Sequence, residues 1–399
     1  MSDSFFSIFT SNKQSEELTL IVDIGSASVG AAFAKIGSGT APHVVASNRV
    51  DISFQDTLSS SRFHNAMIRA LDTALVGLEK KLKPTSRIVN VFCTLSSPWF
   101  ILKTRNIHIV NAQEFEVTEQ ALASFIDQDI EKLKEEMKDK LPLQDLAIIE
   151  KKIIHIKLNG YEIKNPYKQK TSRIELTTTL GVSSRKVIQG LENRIQKFFH
   201  VKNIHFGVFP VAAFGVIRDM FPHDENFLFL DITGETTDVT RIENGILTNS
   251  TSFPYGKNSF IRAISGGLRT VHQEASSIFM MYLRKELDPV RTLHVTKIIN
   301  KVESEWLARF EKSVAALSMG STIPRKVFFT SDVEVEPLFA SIVIGSKIPS
   351  LMGENFDIQY LDQLIVSKFT TFDTETMRDP FIVIEALFAQ KILTQQFAT

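Results

Sequence analysis

Two acidic, glycine-containing turns constrain this chain more than anything else in it. They are Leu20-Ile21-Val22-Asp23-Ile24-Gly25-Ser26-Ala27-Ser28-Val29 and, far downstream, Phe227-Leu228-Phe229-Leu230-Asp231-Ile232-Thr233-Gly234-Glu235-Thr236-Thr237-Asp238. In each, an apolar strand delivers one Asp into a turn of small residues, and the chain then re-enters a strand. Such a turn can aim successive backbone N–H groups at phosphate oxygens, because glycine allows close approach, while the carboxylate at the strand end can hold the hydration shell of Mg²⁺. One copy alone reads as readily as an ordinary hairpin. The second is longer and places polar Thr236, Thr237 and Asp238 inside an otherwise apolar stretch, where burial without partners is costly. Facing each other, the two turns would make a nucleotide clamp.

With 399 residues, 43% of them hydrophobic, the chain exceeds a single ordinary core, and two lobes are expected. Lys plus Arg and Asp plus Glu both number 45, so no net field draws the molecule to nucleic acid. The single cysteine, Cys93, sits in the apolar run 88–95 and reads as a buried small hydrophobe; a disulfide within the chain is impossible, which fits a reducing compartment. No apolar run reaches membrane-spanning length without a charge, and Asp3 stands where a signal peptide carries Lys or Arg. In the N-terminal leader, Phe5, Phe6, Ile8 and Phe9 would share one face of a short helix. Two readings of that face stay open: an anchor for a membrane surface or a partner groove, and a segment lying on its own domain.

Strand, turn and strand from Leu18 lead to a strand over 43–52 and a helical pattern over 63–82. A strand over 87–95 breaks at Ser96-Ser97-Pro98, and residues 101–110 alternate as an exposed-faced strand. Thr118 opens a charge-rich helix to about 141, whose charges read as a solvated face. Strands over 152–158 and 173–180 follow, then a helix capped by Ser183 or Ser184 and running to His200. A strand over 203–209 precedes a helix opening at Pro210-Val211-Ala212-Ala213 that would cross between lobes. Long helical patterns cover 265–287 and 295–317, a strand 326–330, and Asp379-Pro380 introduces a terminal helix. The nine histidines are scattered, and no Gly-x-Ser-x-Gly or Walker-type loop is present.

The two turns resemble the first and second phosphate motifs of the ATPase fold shared by actin, Hsp70 and sugar kinases. The stretch His155-Ile156-Lys157-Leu158-Asn159-Gly160-Tyr161-Glu162-Ile163-Lys164-Asn165-Pro166-Tyr167, followed by Ile174-Glu175-Leu176-Thr177-Thr178-Thr179, is similar to a segment of FtsA, the bacterial actin homologue of cell division. PilM, of type IV pilus assembly, shares that architecture. The likeness runs from about Leu18 to the C-terminus. It implies an α/β chain with the duplicated, ribonuclease H-like, two-lobe fold of actin and an inserted subdomain of the 1C type. Subdomain IA would take residues 18–95 and 181–225, 1C residues 96–180, IIA residues 226–264 and 324–399, and IIB residues 265–323, behind a leader of residues 1–17.

The resemblance also implies a site binding ATP and Mg²⁺. Asp23, Gly25, Ser26, Ala27 and Ser28 would hold the metal and distal phosphates, and Asp231, Gly234, Glu235, Thr236, Thr237 and Asp238 would form the second motif. Asp23 and Asp231 are the metal positions; Gly256 and Lys257 follow the second motif, Ser331 stands in the adenosine turn, and Lys301 and Glu305 lie where adenosine-contacting residues are found. The pattern also departs from the family. Thr233 replaces a frequent glycine, the first hairpin has no Lys before Lys35, and Ser331-Asp332 replaces Gly-Gly, with Glu334 and Glu336 adding negative charge. Phe209 precedes Pro210 where a side chain often orients the attacking water, and phenylalanine cannot do so. Weak or lost ATP binding and at most weak ATPase activity are expected, with no catalytic residue assigned.

By resemblance the partner is an FtsZ-like or a PilN-like protein, with self-association into filaments as a further role. Residues 163–167 favour the division reading, and the Asp-Ile-Gly-Ser-x-Ser-Val form of the first motif with its Phe-rich leader favours the pilus reading. A slow ATPase gating assembly is the third alternative; a sugar or acetate kinase lacks an acceptor base. FtsA proteins usually append an amphipathic C-terminal helix, whereas this sequence stops at Thr399 after its last domain helix. Membrane contact is therefore expected through a partner, at the cytoplasmic face.

Overall fold

The computed structural model describes residues 16–82, 86–137, 145–163, 165–318, 321–348 and 355–396. Phe5, Phe6, Ile8, Phe9, Lys164 and Thr399 lie outside them.

The first sheet has the order β15-β3-β2-β1-β4-β9. Its strands are β1 (Glu17–Ile24), β2 (Ser28–Ile36), β3 (His43–Asp51), β4 (Ile88–Leu95), β9 (His205–Val208) and the short β15 (Thr371–Phe372). The second sheet runs β12-β11-β10-β13-β14, from β10 (Phe227–Ile232), β11 (Thr237–Glu243), β12 (Ile246–Phe253), β13 (Lys326–Thr330) and β14 (Asp357–Tyr360). Without β15 the two orders coincide: two antiparallel pairings on one side of the leading strand and two parallel pairings on the other. The leading strands β1 and β10 are apolar at almost every position because each sheet is covered on both faces. Leu20 and Val22 face α1 (Ser60–Glu79) and α3 (Arg185–Phe199), while Ile21 faces the terminal helix α8 (Pro380–Gln396). Similarly, Leu228 and Leu230 face the second lobe's helices, and Phe227 and Phe229 face α4 (Phe209–Met220).

Inserted between β4 and α3 is a third sheet, β5-β8-β6-β7, with α2 (Glu119–Met137) against it. Strand β5 spans Phe100–Glu116, longer than its alternation predicts, because β8 (Lys170–Ser184) pairs along its length; β6 (Leu146–Leu158) and the two-residue β7 (Tyr161–Glu162) complete the sheet. The charge run of α2 is not all solvated: Arg105 donates to both carboxylate oxygens of buried Asp129 and to Glu136, tying β5 to the helix. At the start of α3 the N-cap is Ser184 by position, without a side-chain cap bond, while Ser183 Oγ donates to Trp99 O at 2.6 Å.

Three expectations are corrected. The helix expected over 265–287 is two helices, α5 (Lys257–Leu268) and α6 (His272–Leu283), parted where Arg269 adopts a left-handed φ of 54° just after Gly266 and Gly267. The next helix, α7 (Pro289–Ser318), starts earlier than expected with Pro289 in its first turn, where the missing N–H costs nothing. The terminal helix was expected on the second lobe. Instead Ile382, Ala386 and Ala389 pack on Ile21, Ala32 and Phe92 of the first sheet, and β15 pairs with β3. A helix apolar on nearly all sides fits only where sheet and helix α4 enclose it.

Candidate functional site

The first turn is closed by Gly25 N–H donating to Ser28 O at 3.0 Å, and a Cβ on Gly25 would stand 2.9 Å from that same oxygen. Trp99 Nε1 donates to Gly25 O at 2.8 Å from the loop after β4, where the Ser97–Pro98 bond is cis. Beneath the turn, Asp23 Oδ2 accepts from Arg49 Nη2 at 2.7 Å. Arg49 also donates through Nε to Asp379 Oδ2 at 2.6 Å and through Nη1 to Ser28 Oγ at 2.9 Å. Gly30, the register partner of Arg49, makes room for it: a Cβ there would lie 2.7 Å from Arg49 Nη2. The point charge missing from the first hairpin is thus supplied from β3, and it faces a carboxylate of the protein itself.

Burial pushes the Asp23 carboxyl upward and Arg49 pulls it back; burial works against the Arg49 cation, but Asp379 and Asp23 outweigh it and hold that group above its ordinary value. Glu385, fully buried on α8, is driven well up by burial and then by Asp23. Asp23 Oδ1 and both Glu385 oxygens are buried without a hydrogen-bond partner. Arg49, Asp379 and Glu385 were missed in the sequence. Asp379 was legible as a helix start, since its Oδ1 accepts from Phe381 N at 3.0 Å, but nothing local linked it to Asp23.

The second turn has Thr233 N–H donating to Thr236 O at 3.0 Å. Its acids are engaged by first-lobe hydroxyls. Asp231 accepts from Ser96 Oγ at 3.1 Å and, within its own sheet, from Thr330 Oγ1 at 2.9 Å; Asp238 accepts from Ser97 Oγ at 2.6 Å. Ser26 Oγ lies 2.6 Å from Thr233 Oγ1 and accepts from Glu235 N–H at 2.8 Å. Thr236 Oγ1 donates to Ser97 O at 2.9 Å, and a Cβ on Gly234 would stand 2.6 Å from the Ala27 Cβ. The two hairpins are therefore brought together tip to tip, with protein groups bonded to each other across the junction.

The remaining predicted residues surround the second hairpin. Gly256 precedes α5, and a Cβ on it would lie 2.2 Å from Thr233 O; Lys257 N and Asn258 N donate to Thr233 O and Gly234 O at 3.0 and 2.8 Å. Lys257 pairs with Asp332, which holds the ammonium above its ordinary value against the opposing effect of burial. Glu235 is clamped by Arg262 and Asn258. Thr237 Oγ1 donates to Tyr255 O at 2.8 Å and accepts from Trp306 Nε1 at 3.0 Å. Ser331 is buried, with its carbonyl accepting from Tyr360 OH at 2.9 Å. Glu305 accepts from Tyr255 OH at 2.8 Å, whereas Lys301 is exposed on α7. Phe209 is fully buried between Phe229 and Phe381, with ring centroids 6.2 and 5.4 Å away.

Burial drives Asp231 well above the carboxylate range, with Asp238 adding to it, and raises Asp238 to about 7 against the hydrogen bonds from Ser97. The fold therefore holds a proton on Asp238 that the unfolded chain releases near pH 4. That contribution is complete in acid below the unfolded value and is lost as pH rises through about 7. Urea midpoints are expected to fall between about pH 4 and pH 7, and Asp238→Asn is expected to flatten part of that slope. An Asn variant with an unchanged slope would refute the assignment. Among the described residues, no group of three or more His, Cys, Asp or Glu side chains could hold a metal ion.

No family model and no curated protein matches the chain. A solved structure of a PilM-PilN type IV pilus biogenesis complex is similar over 95% of this chain and 99% of that one, with a TM-score of 0.64 and 12% identity. MreB 5 of Spiroplasma citri bound to AMPPNP is 11% identical with a TM-score of 0.44, covering 96% and 99% of the two chains. The ethanolamine utilization protein EutJ from Carboxydothermus hydrogenoformans is 13% identical with a TM-score of 0.42, covering 96% and 92%. Matched sheets with one strand order, a helix shared between the lobes and a likeness to the PilM-PilN structure spanning nearly the whole chain give this protein the actin-like ATPase fold.

Proposed function

We propose that this chain is a PilM-like scaffold whose interlobe cleft serves as a fixed joint, and that it engages a PilN-like partner at the inner face of a membrane. One observation carries the reading of the cleft: the second hairpin's Glu235 N–H, Asp231 and Asp238 bond to Ser26, Ser96 and Ser97 of the first lobe. With Arg49 on Asp23 Oδ2, these bonds hold Asp231, Asp238 and the Glu235 N–H on groups of the protein itself, so Mg²⁺ and a triphosphate would have to break them to enter. The whole-chain likeness to the PilM-PilN structure supports the partner class. No described helix is long and apolar enough to cross a membrane, which agrees with attachment through a partner. The division reading, with an FtsZ-like partner and filaments, rests on the insert motif alone, and a slow ATPase gating assembly would need the joint to open.

The test has two arms. Immobilised cytoplasmic segments of PilN-like and FtsZ-like proteins are presented to the purified chain, and retention on the PilN-like segment alone is expected. In parallel, millimolar Mg-ATP should leave the unfolding midpoint unmoved, whereas a ligand at about a hundredfold its Kd would add about 2.7 kcal/mol. A clear upward shift that disappears in Asp23→Ala would reject the joint while leaving the partner assignment to the first arm.

A further inference from the structure

At the end of the first lobe opposite the joint lies a groove of about 480 Å³, between the C-terminal ends of α1 and α3 and the start of β4. Leu82, Ile88, Phe198, Phe199 and Val201 form an apolar floor that continues the first-lobe core, and Val89 on the rim is 51% exposed. Phe199 stands edge-on against Phe33 of β2, with ring centroids 5.6 Å apart, so the floor is held in place. The chain enters the fold beside this groove. Leu18 of β1 is in register with Ile88, and Asn90 Nδ2 donates to Glu17 Oε2 at 2.9 Å.

We infer that the N-terminal segment Phe5-Phe6-Ser7-Ile8-Phe9 docks into this groove of its own chain. Three arguments select that occupant. First, reach: the stretch between Phe9 and Leu18 can extend about 3.3–3.6 Å per residue, whereas the groove opens one strand spacing, about 4.8 Å, from where β1 begins. Second, pattern: the four apolar residues of the segment share one helical face, and a helix this short gains order only from a surface to lie on. Third, charge: residues 1–15 contain one Lys and no Arg, too little to hold an anionic membrane, so the apolar floor nearest the entry point is the better surface. This inference is independent of the reading of the joint.

The test uses the full chain, in which native Cys93 is buried and silent. Cysteines introduced singly at Phe5, Phe6, Ile8 or Phe9 are each combined with Val89→Cys, or with Val290→Cys on the second lobe as control, and treated with a short bis-maleimide at low protein concentration. At least one groove pair should give about tenfold more intrachain product than its control, reflecting a high effective concentration, and Phe6→Ser with Ile8→Ser should remove that excess. Equal linkage to both sites, or linkage mainly between two chains, overturns the inference. So does robust flotation on anionic vesicles that is lost when residues 1–15 are deleted, because the segment would then be a membrane anchor; flotation that stays poor with and without them is the expected result.

Discussion

Arg49→Ala is expected to lower stability by about 3–5 kcal/mol, the usual loss when one partner of a buried ion pair is removed. The guanidinium is the only cation bonded to Asp23 and Asp379 among the described residues, and both carboxylates are almost completely buried. Without it two negative charges remain in a low-dielectric interior beside Glu385, whose ionisation burial and then Asp23 already oppose. Lysine is not an adequate substitute, because one ammonium on a flexible stem cannot meet Asp23, Asp379 and Ser28 in the fixed geometry of the guanidinium. Arg49→Lys should therefore recover only part of the loss, and the loss in both variants should shrink in acid as Asp23 takes up a proton. Urea unfolding at two pH values tests this. A midpoint equal to that of the unsubstituted protein would mean that the cluster is not a fixed charge centre.

Gly256→Ala and Gly266→Ala should move stability in opposite directions although both alter the neighbourhood of α5. At Gly256 the new Cβ would meet two backbone oxygens, Thr233 O at 2.2 Å and Gly234 O at 2.7 Å, and backbone cannot rotate away as a side chain can. The second hairpin must shift, at a cost of about 1–3 kcal/mol or more, and with it the bonds from Glu235 N and Thr236 Oγ1 to the first lobe. At Gly266 nothing lies within 4 Å of the added methyl and the backbone is helical, so alanine should stabilise by about 0.5–1 kcal/mol through reduced unfolded-state freedom. Paired unfolding curves decide the matter; a Gly256→Ala variant as stable as the unsubstituted protein would show that α5 does not buttress the hairpin.

Local signals carried most of the architecture. Apolar runs ending in Asp and followed by small residues marked β1 and β10, helical periodicity marked α1, α2 and α7, and the strand-helix-strand-strand spacing marked the insert. These are statements about neighbours in sequence, and backbone periodicity with turn chemistry is enough to make them. The double helix α5 and α6 was blurred because its apolar face continues across the break, and only the left-handed Arg269 separates the two.

What each turn is bonded to could not be read that way. Asp23 and Asp231 were identifiable as strand-end acids, but their partners come from β3, from the loop after β4, from β13 and from the terminal helix, up to hundreds of residues distant. The terminal helix itself was assigned to the wrong lobe, since an almost uniformly apolar helix does not record which sheet will cover it. Neighbours along the chain were enough to specify the two hairpins, the inserted sheet and the missing Lys and Gly-Gly signals of a phosphate site. That the hairpins meet each other follows from long-range packing, because the energy of a buried carboxylate depends on which donor or cation the folded chain places within about 3 Å of it, and that placement is a property of the whole packed molecule.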